Sequence, residues 1–341
     1  MKNMPTAARD LSMIRLPFVL SIALAASAFA QPALDDTRTL KIPLLGYVAS
    51  GSPTGVRPLA GVPGAVVAGA AITFPDGVSR VIPGPGGAFA FVEVTGASQL
   101  GIVQLSLTGP GDVQTLSNTF PHADLTAFSP SGNVAAIYST DLHQALVVTG
   151  LPSSAATDRI VDLSSTGLPV TSLAISDDAQ MLLAGVSDGT SGAIWAFANG
   201  QDPVVVAAAG APSALRFFGG SQSAAVADRA WQQVSILSSF TGGASLQAVA
   251  GPGQGLSAPA DVEISPDQQF LWVADASGQL LSINISSSAV TSMASPVSEK
   301  LTRLAGRSVY LVTSGDGANA GVWAPEALSG IVWRIPVADK Q

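Results

Sequence analysis

Asp261–Ile285, DVEISPDQQFLWVADASGQLLSINI, holds an apolar strand, a tight polar turn, a second apolar strand, another turn and a third strand. It predicts strand A at 260–264, B at 269–274, C at 279–285 and D just beyond, at 289–294. Ser265-Pro266-Asp267-Gln268 and Asp275-Ala276-Ser277-Gly278 supply turn chemistry, because Pro presets the backbone at the second turn position and Asp and Ser bond to nearby backbone. The same order recurs at Leu125–Val148 and Leu173–Phe197, and more weakly at Ser79–Leu105, Ala214–Leu237 and Leu301–Ile335. Taking the residue that opens each A–B turn gives Pro85, Pro130, Asp177, Gly219, Pro266 and Ala305, spaced by 45, 47, 42, 47 and 39 residues. Seven residues after each lies a small or β-branched apolar residue: Val92, Ile137, Ala184, Val226, Val273 and Val312.

Strand-bearing repeats of this length mark a β-propeller, each repeat being one four-stranded antiparallel blade. Both faces of a blade pack on its neighbours. Its strands therefore read as continuous runs, such as Phe270-Leu271-Trp272-Val273-Ala274, and do not alternate. Pro and Gly recur too often for long helices. The six anchors favour six blades, with Gly330–Ile335 as strand C of the last. Ile42–Ala60 then either supplies the missing outer strand of that blade or opens a seventh, composite one. The expected organisation is a signal segment at 1–30, a flexible stretch at 31–41 and a single propeller domain at 42–337, closed by strands from both chain ends.

Composition agrees with deep burial: 47% of residues are hydrophobic and only 11% charged, which argues against disorder. A net charge of −8 has the wrong sign for binding nucleic acid. The absence of cysteine excludes disulfides and thiol chemistry. Leu16–Ala30 is a short apolar run after Arg15, ending in the small-x-small pattern Ala28-Phe29-Ala30, which reads as an export signal starting at Met1 or Met13. Cleavage near Ala30 removes three basic residues and Asp10, so that −8 becomes −10. The mature chain is expected to be secreted or periplasmic, with no stable membrane span.

The segments SPDQQFLWVAD (265–275) and FSPSGNVAAIYST (128–140) resemble the YVTN/NHL-type propeller repeats of exported bacterial proteins. In that family a Ser-Pro-Asp-Gly turn leads into a strand ending in Val-Ala-Asp or Val-Thr-Asn. The resemblance covers about 260 residues, from Val78 to Val337. It implies a fold, while its members range from lactone hydrolases to surface-layer proteins.

The acidic residues after strand B, Asp141, Asp188, Asp228, Asp275 and Asp316, recur in nearly every repeat. Such recurrence suits Asx-type bonds to backbone N–H groups better than a metal ring, since a site normally breaks the repeat. Strand A lies innermost in a propeller, so Asp124, Asp261 and Glu263 are the carboxylates best placed for axial chemistry; Asp261 and Glu263 share a strand face. His122 has Asp124 as a neighbour, a pairing expected to be a solvated loop feature. No metal or cofactor set is evident, and nucleophile-elbow and phosphate-loop patterns are missing. Trp195, Trp272 and Trp333 lie in strands and are expected to pack between blades. Trp231 and Trp323 are the candidate binding aromatics, Trp323 because it falls in the long insert Gly315–Ser329. These features point to a non-catalytic propeller that binds a protein, glycan or envelope partner through loops on one face. The alternative is a lactonase-like hydrolase with an axial carboxylate or metal site.

Overall fold

The computed structural model describes residues 43–49, 54–96, 98–107, 109–117, 119–220, 222–240, 242–295, 299–305, 308–314, 320–325 and 332–334. The export-signal reading, the 31–41 stretch and Asp316 lie outside them. Within them the chain forms seven antiparallel sheets, six of them meanders in sequence order. Blade 6 matches the reading of its sequence to within a residue at each strand end: Pro259–Ile264, Phe270–Asp275, Gln279–Asn284 and Val290–Ala294. All six residues seven positions past the anchors lie in strand B of their blades and are at most 1% exposed.

The favoured count of six blades is corrected to seven, and the reason lies in the last repeat. Strand C of blade 7 is Ala320–Trp323, inside the stretch read as an insert, and pairs with strand B at Tyr310–Thr313. Val332–Arg334, within the stretch read as strand C, is strand D and pairs with Ala320–Trp323. Blade 7 thus fills its four positions from the C-terminal end. The N-terminal stretch makes a sheet of its own. Leu44–Ala49 pairs with Gly55–Val62, whose other edge is shared by two short strands, Ala65–Ala68 and Ile72–Thr73. Neither end lends a strand to the other's blade among the described residues.

Seven apolar clusters hold the ring, one between each neighbouring pair of blades. The closing one packs Leu45, Val48, Leu59 and Val66 of blade 1 on Leu304, Val309, Leu311, Val322 and Ala324 of blade 7. Burial is deepest in strand B and falls toward strand D. In blade 3, Ala135–Ser139 is wholly buried, while Ala156–Asp162 is mostly exposed. This gradient follows from geometry, because the middle strands have sheets on both sides and the outer strand meets solvent.

Strand A begins with a β-bulge in blades 1, 2, 4, 5 and 6. A bulge re-aims the extra residue, and in blades 4 and 5 its hydroxyl reaches the next blade, whereas Ser79 in blade 2 donates to the Glu93 carbonyl of its own blade. Thr171 donates to the carbonyl of Pro212 (2.7 Å) and Ser213 to that of Pro259 (2.7 Å). In blade 6 the bulge residue is Ala260, with no hydroxyl. The bridge to blade 7 is made instead by Asp261, whose Oδ2 accepts the N–H of Leu301 (3.0 Å).

Two of the recurring aspartates, Asp228 and Asp275, do more than cap the B–C turn. Asp275 accepts N–H bonds from Ser257 and Ala258, in the linker entering its blade, and from Ser277 in the turn. Asp228 does the same with Gly210, Ala211 and Trp231. Asp188 caps only its own turn, through Thr190 and Ser191, and Asp141 is exposed.

Candidate axial site

The side chains around the axial pocket come mainly from strand A of blades 2, 3, 5, 6 and 7, with Phe89 from the start of strand B of blade 2. Their identity divides the bore into two walls. Blades 5, 6 and 7 supply charge. Arg216 donates from Nε to Glu263 Oε1 (2.7 Å) and from Nη2 to Asp261 Oδ1 (3.0 Å); its Nη1 donates to the carbonyl of Leu215 (2.9 Å). Arg303 donates to Glu263 Oε2 (3.3 Å) and to the carbonyl of Pro130 in blade 3 (2.9 Å). Lys300, at the start of strand A of blade 7, completes the group with no hydrogen bond or ion pair among the described residues. Blades 2 and 3 supply the opposite wall, with Ile82, Phe89, Ala127 and Phe128. The Phe89 and Phe128 rings meet edge to face, with centroids 6.1 Å apart.

Between these walls lies a pocket of about 370 Å³, at the end of the bore where A–B turns converge. It is lined by Arg216, Glu263, Lys300 and Arg303 on one side and by the apolar group on the other. The Ser129–Asn133 turn of blade 3 borders it and is held from two directions: Asp177 of blade 4 accepts the Ser131 N–H (2.8 Å), and Arg303 binds the Pro130 carbonyl.

Electrostatics follow from this enclosure. Desolvation alone would lower the Arg216 guanidinium, but Asp261 and Glu263 raise it, so it stays charged. Burial pushes the Asp261 carboxyl up, against the opposing pull of Arg216. Enclosure lowers the Lys300 ammonium although solvent reaches it, with Asp261 opposing the shift.

Of the three axial carboxylates read from the sequence, Asp261 and Glu263 come together, and both are tied to arginines. Asp124 stands apart: its Oδ2 accepts the Thr140 N–H (2.7 Å), and it does not line the pocket. The carboxylate near His122 is Glu93 (3.6 Å) and not Asp124. Glu93 also accepts from Arg80 (3.4 Å) and from the Ala123 N–H (2.8 Å). Among the described residues no group of three or more His, Asp or Glu side chains is arranged to hold a metal ion.

Trp323 is corrected as a surface candidate. It lies in a strand, 3% exposed, packed edge to face on Trp272 at 5.9 Å. Trp231 is 42% exposed beside Gly210, in the B–C turn of blade 5 that Asp228 holds. Trp195, Trp272 and Trp333 sit in interblade clusters.

The basic half of the site, Arg216, Lys300 and Arg303, escaped the sequence reading. A signal was there: Arg216 and Glu263 each stand three residues before their anchors, so opposite charges occupy equivalent positions in consecutive repeats.

No family model matches the chain, and no curated protein does. Solved structures do match. One is a functionally unknown protein from Desulfotomaculum acetoxidans DSM 771, at 14% identity and a TM-score of 0.61, covering 87% of this chain and 96% of that one. Another is a provisionally assigned 6-phosphogluconolactonase from Bacteroides uniformis ATCC 8492, at 14% identity and a TM-score of 0.53, covering 85% and 94%. At such identity the likeness speaks for fold alone: this chain is a β-propeller, here with seven blades around a bipolar axial pocket.

Proposed function

We propose that this chain is an exported, non-catalytic propeller of the YVTN/NHL repeat type that binds a partner in the cell envelope or outside it. One observation supports the non-catalytic reading above the rest. The axial carboxylates nearest to a reacting position, Asp261 and Glu263, are spent on Arg216, Arg303 and the Leu301 N–H. Oxygens already engaged by an arginine or a backbone N–H have few lone pairs left to ligate a metal ion or to accept a proton from a substrate. The repeat type draws support from SPDQQFLWVAD, which forms an A–B turn and strand B, with Ser265 Oγ accepting the Phe270 N–H (2.9 Å). Export rests on the sequence of Leu16–Ala30. For the partner surface we assign the face carrying the B–C turns, where Trp231 stands exposed.

The test is to assay the full chain on aliphatic and sugar-derived lactones with Ca²⁺, Zn²⁺, Mg²⁺ or Mn²⁺, alongside thermal melts with the same ions. The expected result is no turnover and no metal-dependent rise in Tm. Metal-dependent hydrolysis abolished by Glu263→Gln would replace this reading with a lactonase-like hydrolase. Intact-mass measurement of the exported chain checks cleavage near Ala30.

A further inference from the structure

We propose that the axial pocket is a binding site for a small organic acid, its carboxylate set against Lys300 and Arg303 and its apolar body on Ile82 and Phe128. The inference is independent of the loop-face reading above.

It starts from an imbalance. Arg216, Lys300 and Arg303 face two carboxylates, Asp261 and Glu263, and every close ion pair in the group involves an arginine. Lys300 is left as the surplus cation: it makes no close ion pair among the described residues and feels Asp261 only at longer range. A lone ammonium on a pocket wall is a point charge with free donors, suited to an anionic group arriving from solvent. One surplus charge matches a carboxylate at −1 better than a phosphate monoester, which carries close to −2.

The opposite wall fixes the rest of the ligand. The half-buried Ile82 and Phe128 offer apolar surface across from the charges, so a molecule that satisfies both walls has an acidic head and a hydrophobic tail. A volume near 370 Å³ accommodates a medium-chain or aryl-alkyl acid but leaves acetate loosely held.

The experiment is calorimetric titration of the full chain with octanoate, octanamide, acetate and octyl phosphate at constant ionic strength. Saturable octanoate binding is expected, at least tenfold tighter than octanamide or acetate, with octyl phosphate no tighter than octanoate. Lys300→Met should weaken octanoate at least tenfold. Thr126→Phe, which fills the bore from strand A of blade 3 without touching a charge, should do the same with the melting temperature of the unliganded chain retained. Equal binding of octanoate and octanamide, tighter binding of octyl phosphate, unchanged affinity in either variant, or no saturable binding would each overturn the proposal. None of these outcomes bears on lactone turnover, so the two readings fail separately.

Discussion

The seam between blades 5 and 6 and the seam between blades 7 and 1 do the same job with different means. The first joins consecutive repeats. It combines an apolar cluster around Val262 and Leu271 with the Ser213–Pro259 hydroxyl bridge, the Arg216 ion pairs and the grip of Asp275 on the entering linker. The second joins the chain ends. It relies on apolar packing around Leu59 and Leu304 and a backbone bond from the Ala305 N–H to the Leu45 carbonyl. Blade 1 also approaches blade 2 so closely that a Cβ on Gly87 would lie 2.7 Å from the Gly46 Cα. Side-chain polar fastening thus marks the seam encoded by the repeat, whereas the closing seam, among the described residues, rests on complementary apolar surfaces and a backbone bond. A ring with no strand exchanged between its ends can close in this way because apolar burial is non-directional and needs no defined linker.

Removing Arg216 should separate the two seams most sharply. Arg216→Met leaves the enclosed Asp261 without its arginine and Glu263 with Arg303 alone, and is expected to cost about 3–5 kcal/mol, read by urea unfolding. If the loss is under 1 kcal/mol, roughly the worth of an exposed pair, the ion pairs do not fasten the seam. At the closing seam, Leu59→Ala removes a side chain with no exposure and should cost about 2–4 kcal/mol. Hydrogen exchange should then rise first in blades 1 and 7; a uniform rise would show that the closing seam is no weaker than the others. Gly87→Ala meets both the Gly46 backbone and a left-handed φ of 70°, for an expected loss of about 1–3 kcal/mol. Asp275→Ala orphans N–H groups of Ser257, Ala258 and Ser277 and should cost about 1–3 kcal/mol. Trp231→Ala, on the exposed turn, should stay within about 0.5 kcal/mol.

Acid should act on the same divide. Burial alone would raise Asp275, but the N–H bonds of Ser257, Ser277 and Ala258 hold it below the usual carboxylate range. Asp178 and Asp267 are lowered mainly by hydrogen bonds from Ser176 and Ser265. A group depressed in the folded state stabilises it fully above the unfolded pKa, near 4, and loses that contribution as pH falls through the folded value. Melting temperature should therefore hold steady above about pH 5 and fall below about pH 4. Asp275→Asn should flatten the fall; an unchanged acid limb would show that this carboxylate does not link proton uptake to unfolding.

Most of the architecture was legible in the sequence because strand B and its flanking turns repeat. The buried position seven residues past each anchor needs a small or β-branched side chain whatever the blade, and Ser-Pro-Asp chemistry marks the A–B turns. The sequence leaves blade 1 between a lent outer strand and a seventh, composite blade because nothing in it keeps that phase: its outer edge is split between Ala65–Ala68 and Ile72–Thr73. Strand C of blade 7 escaped because Ala320–Trp323 is four residues long and sits amid turn-rich sequence. Half of the axial site was also legible, since Asp261 and Glu263 lie on an innermost strand. Their neutralisation was not, because Arg216 and Arg303 lie 47 and 40 residues from Glu263.

The sequence by itself determined the blade: its strand order, its turns and the small apolar core that two flanking sheets demand, all local consequences of side-chain size and backbone preference. Only the tertiary structure decided how many blades make the ring, which ends meet, and which charges cancel across the bore. Those depend on where distant segments arrive after burial, and no short-range pattern records that.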